Sequence, residues 1–206
     1  MDPRRPLSTG PSSTTTVADL AARVRAAPAR LGDVRLVCID GPAGSGKTTL
    51  AGGLAAALGD AAVVHLDDLY AGWTITGAVS RLRAGVLRPL AEGRPGCYHR
   101  YDWTAERFAA EPTPVPVRPV LLVEGCGSSP RSLDPWTTLR IWVEAPARLR
   151  IARGLARDGA GLQPQWRRWQ ATEAAEFTRE DTRARADLRL DGAALAELPE
   201  GTFPVL

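Results

Sequence analysis

The chain has 206 residues, which is enough for one well-buried domain and too few for two large ones. Its apolar content of 44% and its charged content of 24% are ordinary for a globular protein. The formal net charge of +3 is too small to indicate a surface that wraps nucleic acid. Of the 26 basic residues only Lys47 is a lysine, which singles out a position where a compact ammonium group is required.

Three widely spaced cysteines, Cys38, Cys97 and Cys126, form no CxxC pair. Neither a disulfide framework nor a zinc site is therefore expected, and a reducing compartment fits best. No apolar run approaches the length of a membrane span, and the N-terminal segment lacks the apolar core of a secretory signal. We therefore expect a cytoplasmic protein that binds neither membranes nor nucleic acid. A homo-oligomer is compatible with the sequence.

The predicted elements alternate along the chain. Residues 1–16 are rich in Pro, Ser, Thr and Gly and have no apolar period, so we predict a disordered tail there and a single domain over residues 17–206. Apolar spacing predicts helices over residues 17–27, 48–58, 78–91, 147–156 and 164–185. Pro89 marks a kink or an end in the third of these. Short apolar runs predict buried strands over residues 35–40, 62–66, 120–123, 139–143 and 186–190. Residues 93–118 are proline-rich and are predicted to form loop and short extended pieces.

Strands that alternate with helices indicate βαβ units joined by right-handed crossovers. The predicted fold is α/β, with a doubly wound parallel sheet of five strands and helices on both faces. In such sheets ligands bind beyond the carboxyl ends of the strands. Polar residues that directly follow the predicted strands are therefore the candidates for a site.

The segment from Gly41 to Thr48, G-P-A-G-S-G-K-T, matches the pattern G-x-x-x-x-G-K-[ST] between a predicted strand and a predicted helix. Its glycines let consecutive backbone N–H groups point at phosphate oxygens, and the helix N-terminus adds its positive end. The fold is thus of the P-loop NTPase type, and ATP with Mg²⁺ is the expected ligand. We expect Lys47 to bridge the β and γ phosphates and Thr48 to contact Mg²⁺. The residues expected to bind the nucleotide are Gly41, Ala43, Gly44, Ser45, Gly46, Lys47, Thr48 and Thr49.

Carboxylates stand at the ends of two predicted strands. Asp67 and Asp68 follow the second strand, and Glu124 follows the very apolar run 120–123. Either aspartate at the end of the second strand can accept a hydroxyl proton, which is typically worth about 10²–10⁴ in rate, or orient Mg²⁺, and the residues alone do not distinguish the two. Either can equally form a polar turn or a helix N-cap. A carboxylate such as Glu124 is costly at the end of an apolar strand unless it meets a metal or a hydrogen-bond network. We expect it to help hold Mg²⁺.

With these residues in view, the chain resembles the uridine kinase group of P-loop nucleoside kinases over about residues 34–191. The run V-V-H-L-D-D-L-Y at residues 63–70 resembles their second strand and D-x-F-Y segment, which implies that Asp67 is the catalytic base. The Y-D-W run at residues 101–103 resembles a Y-D-F segment of the acceptor site, and V-E-G at residues 123–125 resembles an F-E-G motif. The resemblance implies Thr48, Glu124 and Asp67 as the residues that place the metal.

The resemblance also implies an acceptor site, and this chain departs from the family there. The F-D-H-P stretch of the family, with its sugar-binding aspartate, has no counterpart between Tyr70 and Tyr98. Glu106 stands where the family has a base-recognising histidine. The residues expected to bind the acceptor are Asp68, Tyr70, Tyr101, Asp102, Trp103 and Glu106. The sequence does not determine which acceptor they bind.

The segment from Ala145 to Asp158, with Arg148, Arg153 and Arg157, resembles the arginine-bearing lid region of the family, and we place the lid itself at about residues 153–165. Arg150, Arg153 and Arg157 fall on one side of the predicted helix, and Gly159-Ala160-Gly161 follows as a hinge. We expect Arg153 and Arg157 to act with Lys47 in catalysis by stabilising charge on the transferred group. A solvated helix face is the alternative. Trp166 and Trp169 are expected to pack in the core.

These expectations combine into a function. They predict a kinase that transfers the γ-phosphoryl group of ATP to a hydroxyl on a small molecule, a nucleoside or similar. One alternative is a nucleoside-monophosphate kinase, which would bring Arg100 and Arg107 to the acceptor. Another is a regulatory module that binds ATP without catalysis, which would need no base.

Overall fold

The computed structural model describes residues 13–193 and 201–206. Its strands in chain order are β1 (Thr14–Thr16), β2 (Arg35–Asp40), β3 (Ala61–His65), β4 (Gly96–Asp102), β5 (Arg107–Val115), β6 (Val120–Glu124), β7 (Thr137–Glu144), β8 (Leu188–Asp191) and β9 (Thr202–Pro204). Its α-helices are α1 (Val17–Ala26), α2 (Lys47–Leu58), α3 (Ala78–Leu82), α4 (Arg88–Ala91), α5 (Ala147–Asp158), α6 (Gln163–Glu180) and α7 (Thr182–Arg185).

Five of these strands form the central sheet, in the order β3-β6-β2-β7-β8. All four pairs of neighbours are parallel. Glu124 at the end of β6 stands opposite His65 of β3 on one side and Ile39 of β2 on the other. The carboxyl ends of these three strands therefore lie side by side, and the predicted fold class is confirmed.

Alternate residues of β2 pack on opposite faces of the sheet. Leu36 and Cys38 belong to one buried core, which also contains residues of α3, the hairpin β4–β5 and α6. Val37 and Ile39 belong to a second core, built with α1 and α2. Because both faces are covered, the inner strands β2 and β6 are buried along nearly their whole length, as their short apolar runs in the sequence indicate.

The largest departure from the predicted elements is a β-hairpin where the sequence indicated loop and short extended pieces. β4 and β5 pair antiparallel, with Cys97 opposite Pro114 and His99 opposite Pro112. The two prolines are two residues apart, so their missing N–H groups lie on the same edge of β5. A two-stranded sheet leaves that outer edge unpaired, and the prolines are tolerated there.

Two predicted helices are interrupted. Asp181 adopts a left-handed conformation with φ of 51°, which ends α6 and separates it from α7. A π-helical segment, Arg83–Leu87, joins α3 to α4, and the N–H of Arg88 bonds to the carbonyl of Arg83. Pro89 follows directly, and the steric conflict between its ring and the preceding turn accounts for this wider turn.

The predicted disordered tail is wrong at its C-terminal end. Thr14–Thr16 forms β1, which pairs antiparallel with β9 so that Thr16 stands opposite Thr202. The chain end supplies a partner strand that local composition cannot reveal. Residues 1–12 of the predicted tail lie outside the described residues.

The cysteines are free thiols, with Cys38 and Cys126 buried and Cys97 exposed. Among the helices of residues 13–193 and 201–206, none has both the length and the apolar character needed to cross a bilayer.

Candidate active site

The carboxyl ends of β2, β3 and β6 open into a cavity of about 580 Å³. One side of it is the phosphate loop, which we define as residues 41–48. Six of the eight residues predicted to bind the nucleotide line the cavity: Ala43, Gly44, Gly46, Lys47, Thr48 and Thr49. Gly41 and Ser45 are buried within the loop and do not line the cavity. A Cβ on Gly41 would lie 2.0 Å from the carbonyl oxygen of Val143, so only glycine lets the loop approach β7 this closely.

Lys47 is nearly buried at the base of the loop. Its Nζ donates to the carbonyl of Pro42 at 3.0 Å and lies 3.8 Å from Sγ of Cys126. Burial works against the charge on Nζ, but the surrounding acidic groups, Glu124 and Asp67 among them, outweigh it and raise the pKa of Lys47. The side chain therefore stays a cation inside the cavity.

One carboxylate oxygen of Glu124 forms hydrogen bonds with two neighbouring side chains. Its Oε1 accepts from Oγ1 of Thr48 at 3.0 Å and pairs with Nδ1 of His65 at 2.6 Å. Burial alone would raise the pKa of Glu124, but the bond to His65 and the charge of Lys47 lower it overall. The same hydrogen bond raises the pKa of His65. Glu124 is therefore held as a carboxylate next to the phosphate loop.

The hydroxyl of Thr48 and the carboxylates of Glu124 and Asp67 are hard oxygen ligands of the kind that Mg²⁺ prefers. No cluster of three or more His, Cys, Asp or Glu side chains suited to a metal ion occurs in the part of the chain that the structure describes. Mg²⁺ is usually held by one or two carboxylates together with substrate phosphates and water, and Glu124 and Asp67 with the hydroxyl of Thr48 would supply the protein ligands of such an ion. The residues present fit such an ion.

Asp67 lines the cavity together with the phosphate loop, and its side chain is open to it. Protein crowds the carboxylate on its other sides, and this loss of solvent, followed by the negative charge of Glu124, raises the pKa of Asp67. A carboxylate with a raised pKa accepts a proton more readily.

Asp68 is held away from the cavity. Its two carboxylate oxygens accept from the hydroxyl of Tyr98 at 2.9 Å and from the guanidinium of Arg100 at 3.0 Å, both on β4. Asp68 does not line the cavity. The two neighbouring aspartates thus have different surroundings, and only Asp67 has access to a ligand.

Of the other residues predicted to bind the acceptor, some line the cavity and others do not. Tyr70 and Trp103 line the cavity. Tyr101 packs against Trp103 and Phe108 without lining it. Asp102 accepts from the N–H groups of Thr104 and Ala105 and so closes the hairpin turn. Glu106 is exposed in that turn with a φ of 51°. The structure therefore does not bring Tyr101, Asp102, Glu106 or Asp68 to the cavity.

Arg153 and Arg157 both line the cavity from α5. The guanidinium of Arg153 donates to the carbonyls of Gly44 and Gly192 at 3.3 and 3.0 Å. That of Arg157 pairs with Asp158 at 2.6 and 3.0 Å. The predicted lid, residues 153–165, covers the end of α5, a 3₁₀ turn at Ala160–Leu162 and the start of α6. Trp166 and Trp169 are buried as expected, and both also line the cavity.

Two residues that sequence reasoning missed hold the phosphate loop. Asp40, the last residue of β2, accepts from the N–H groups of Gly41, Gly127 and Ser129 at 2.7 to 2.9 Å. The sequence contains a signal for Asp40, because a carboxylate that ends an apolar strand is as costly there as at Glu124. Glu173 of α6 accepts from the N–H of Ala43 at 2.8 Å, and no sequence pattern distinguishes it.

No protein-family model and no curated protein matches the sequence. Solved structures do match. One, described as a possible uridine kinase from Bacillus stearothermophilus, has a TM-score of 0.63 at 20% identity and covers 84% of this chain and 96% of its own. Another, a candidate fructose transport system kinase from Silicibacter sp. TM1040, has a TM-score of 0.57 at 24% identity and covers 85% of this chain and 98% of its own. The chain shares the P-loop kinase-like α/β fold of both.

Proposed function

We propose that this protein is a kinase that transfers the γ-phosphoryl group of ATP to a hydroxyl on a small molecule, in the manner of a nucleoside kinase. The observation that carries the proposal is that the open carboxylate of Asp67 and the phosphate loop with Lys47 line one cavity. A site that only bound nucleotide would not need a proton acceptor there. The descriptions of the two structural neighbours, a possible uridine kinase and a candidate fructose transport system kinase, agree with this.

In the proposed reaction Asp67 takes the proton of the acceptor hydroxyl as its oxygen forms a bond to the γ-phosphorus. The bond between that phosphorus and the β–γ bridging oxygen breaks, and ADP leaves. Lys47 and the N–H groups of the phosphate loop hold the phosphates throughout. Arg153 and Arg157 lie on the same cavity, where their charge can stabilise the transferred group.

Asp67 is preferred to Asp68 as the base because of their surroundings. Asp68 is occupied by Tyr98 and Arg100, whereas Asp67 is open to the cavity. Thr48, Glu124 and Asp67 would hold Mg²⁺. When bound, that ion neutralises charge on the phosphates during transfer.

The two alternatives have less support. A nucleoside-monophosphate kinase needs cations for a phosphorylated acceptor, and Arg100 is paired with Asp68 outside the cavity. Arg107 is exposed on β5 and does not line the cavity either. A non-catalytic module would need Asp67 only for Mg²⁺ and would have no use for a proton acceptor open to the cavity. We propose the cytoplasm as the location of the protein. A homo-oligomer is compatible with the proposed function.

A coupled assay of ADP release over nucleosides, nucleoside monophosphates and other alcohols tests the proposal. We expect acceptor-dependent ADP release that Lys47→Ala abolishes while the far-ultraviolet circular dichroism stays that of the wild type. Full activity of Lys47→Ala would contradict it. Binding of ATP with no turnover on any acceptor would favour the regulatory module.

A further inference from the structure

The C-terminal end of α5 carries an arginine and an aspartate that form a pair on the cavity. Arg157 and Asp158 are the last two residues of the helix, and both line the cavity. Nε and Nη2 of Arg157 donate to the two carboxylate oxygens of Asp158 at 2.6 and 3.0 Å. Because neighbouring residues of a helix do not face each other, this pair requires the arginine side chain to turn back toward Asp158. The guanidinium is thus held side-on.

The stability of the fold does not account for this pair. The side chain of Arg157 is 63% exposed, and ion pairs with an exposed member contribute little to folding. Asp158 also brings a negative charge to the C-terminal end of α5, where the helix dipole disfavours it. The carboxylate therefore has a reason other than stability to stand at this position.

Asp158 is itself fixed by a second donor. Its Oδ2 accepts from Nε1 of Trp166 at 3.1 Å, and Trp166 is buried on α6. A buried indole N–H needs an acceptor, but a neutral side chain such as asparagine would supply one. Only the pair with Arg157 makes use of the negative charge. A carboxylate that is anchored to the core in this way is a rigid support for the guanidinium.

The guanidinium of Arg157 keeps donors for a ligand. Asp158 engages Nε and Nη2, and Nη1 has no hydrogen-bond partner among the residues that the structure describes. The bond to Asp158 raises the pKa of Arg157, and the negative charges of Asp67 and Glu124 act in the same direction. Arg157 therefore lies within electrostatic range of the two carboxylates that we propose to act at the transferred group.

Arg153, the other arginine proposed to act in the reaction, is held differently. Its Nη1 donates to the backbone carbonyls of Gly44 and Gly192 at 3.3 and 3.0 Å, which ties α5 to the phosphate loop. No side-chain substitution removes those carbonyls. Arg157 is the arginine whose orientation depends on a side chain, so a single substitution can release it.

We propose that Asp158 is a positioning residue, which holds Arg157 side-on so that Nη1 meets the transferred phosphoryl group. An exposed arginine has many rotamers, and ordering it during the reaction would cost conformational entropy. Asp158 orders the guanidinium beforehand, and charge that is already in place stabilises a transition state most effectively. The inference rests on the proposed phosphoryl transfer, because it assigns a support for one residue of that reaction.

Asp158→Asn tests the inference, because asparagine keeps an acceptor for Trp166 and removes the charge that holds Arg157. The probe is ADP with Mg²⁺ and aluminium fluoride, which mimics the phosphoryl group in transfer and needs no identified acceptor. By calorimetry we expect Asp158→Asn to bind this probe about tenfold more weakly and ADP alone with an unchanged Kd. In an Arg157→Ala background, Asp158→Asn should change neither Kd further.

Glu176→Gln is the matched control. Glu176 pairs with Arg179, whose side chain is 65% exposed, and neither residue lines the cavity. The change should leave both Kd values as they are in the wild type. Nitrogen-15 labelling of arginine follows the guanidinium directly. The Nε–H signal that Arg157→Ala removes should be ordered in the wild type and in Glu176→Gln, and mobile in Asp158→Asn.

Three results would overturn the inference. Asp158→Asn could weaken probe binding equally with and without Arg157, in which case Asp158 acts through another residue. It could tighten probe binding, in which case Asp158 restrains Arg157 away from the transferred group. The Arg157 signal could also stay ordered in Asp158→Asn. The expected results without acceptor-dependent ADP release would support the positioning of Arg157 and contradict the proposed transfer to a hydroxyl.

Discussion

The carboxylate of Glu173 on α6 accepts a hydrogen bond of 2.8 Å from the backbone N–H of Ala43 in the phosphate loop. Its other oxygen pairs with Arg150 of α5 at 2.8 Å, and Arg150 also donates to the carbonyl of Ala43 at 3.4 Å. The side chains of Glu173 and Arg150 are only 3% and 12% exposed. One buried ion pair thus holds both polar groups of Ala43 and ties two helices to the loop.

Replacing Glu173 with alanine should be strongly destabilising. The change leaves the guanidinium of Arg150 buried without its carboxylate and the N–H of Ala43 without an acceptor. Breaking a buried ion pair from one side typically costs about 3–5 kcal/mol. We expect the free energy of unfolding, measured by urea denaturation, to fall by about 3 kcal/mol, and the KM for ATP to rise because the loop loses its support.

Glu176→Ala is the matched control on the same helix. Glu176 pairs with Arg179, whose side chain is 65% exposed, and such surface pairs contribute about 0–1 kcal/mol. Its unfolding curve should stay close to that of the wild type. If Glu173→Ala were no more destabilising than Glu176→Ala, the ion pair would not be what holds Ala43.

The two neighbouring aspartates should respond differently to loss of charge. Asp67→Asn is expected to lower kcat by about 10²–10⁴ while ATP still binds, because the proposed base is removed and the phosphate loop is not. Asp68→Asn should lower kcat by less than about tenfold, since Asp68 only anchors Tyr98 and Arg100. Steady-state kinetics with calorimetric titration of ATP measures both. A larger loss in Asp68→Asn would reverse the two roles.

Gly154 of α5 lies directly against the ring of Trp166 on α6. A Cβ at this position would lie 2.1 Å from the ring of Trp166, which is itself buried. Gly154→Ala should therefore separate the two helices and lower the free energy of unfolding by about 1–3 kcal/mol. Thermal denaturation should show the loss. Because both helices line the cavity, the KM for ATP should rise with it.

Gly52→Ala in α2 makes the same substitution where space is free. An added Cβ there meets nothing within 4 Å, and the backbone is helical. Alanine in a helix interior should raise the free energy of unfolding by roughly 0.5–1 kcal/mol. If the free energy of unfolding falls in Gly154→Ala and rises in Gly52→Ala, the loss at Gly154 is due to the contact with Trp166. If the free energy of unfolding changes in the same direction in both variants, that contact is not the cause.

The parts of the fold that sequence predicted best are those where local pattern and tertiary environment agree. The central strands are apolar because both faces are covered, so β2 and β6 were predictable from short apolar runs. The hairpin β4–β5 was missed because Pro112 and Pro114 are unfavourable in strands in general. They are tolerated only because β5 has one partner, which is a property of the sheet and not of the segment.

The residues of the candidate site likewise fall into those that a local sequence pattern predicts and those that only the tertiary structure brings to the site. Residues that belong to a contiguous motif or end a strand, such as Lys47, Asp67 and Glu124, could be located from the sequence. Glu173 could not, because 130 residues separate it from Ala43 and only the docking of α6 brings them together. The acceptor side was predicted by resemblance from the segment 101–106, yet only Trp103 of that segment lines the cavity. Successive side chains of a strand point to opposite faces, so Tyr101 and Asp102 at the end of β4 do not face the same site.

Asp40 combines full burial with three backbone N–H donors at the start of the phosphate loop. Burial is the larger influence and raises the pKa of Asp40 from 3.8 to about 6, although the hydrogen bonds from Ser129 and Gly41 oppose it. A carboxyl group with a higher pKa in the folded chain binds its proton more tightly when folded. Its contribution to stability is therefore most favourable at low pH and is lost as the pH rises through the folded value.

Asp40→Asn removes this titration and isolates its effect. The wild-type free energy of unfolding, minus that of the variant, should fall by about 2 kcal/mol between roughly pH 4 and pH 7, because the asparagine cannot ionise. Urea denaturation of both proteins across this range measures the difference, and titration of other carboxylates cancels in it. If the variant is too unstable to compare, carbon-13 labelling of the aspartates should show one carboxyl group of the folded wild type titrating near pH 6. The difference in the free energy of unfolding between the wild type and Asp40→Asn could instead stay constant with pH, or no carboxyl group could titrate near pH 6. Either result would mean that the three N–H donors outweigh burial and keep Asp40 ionised throughout.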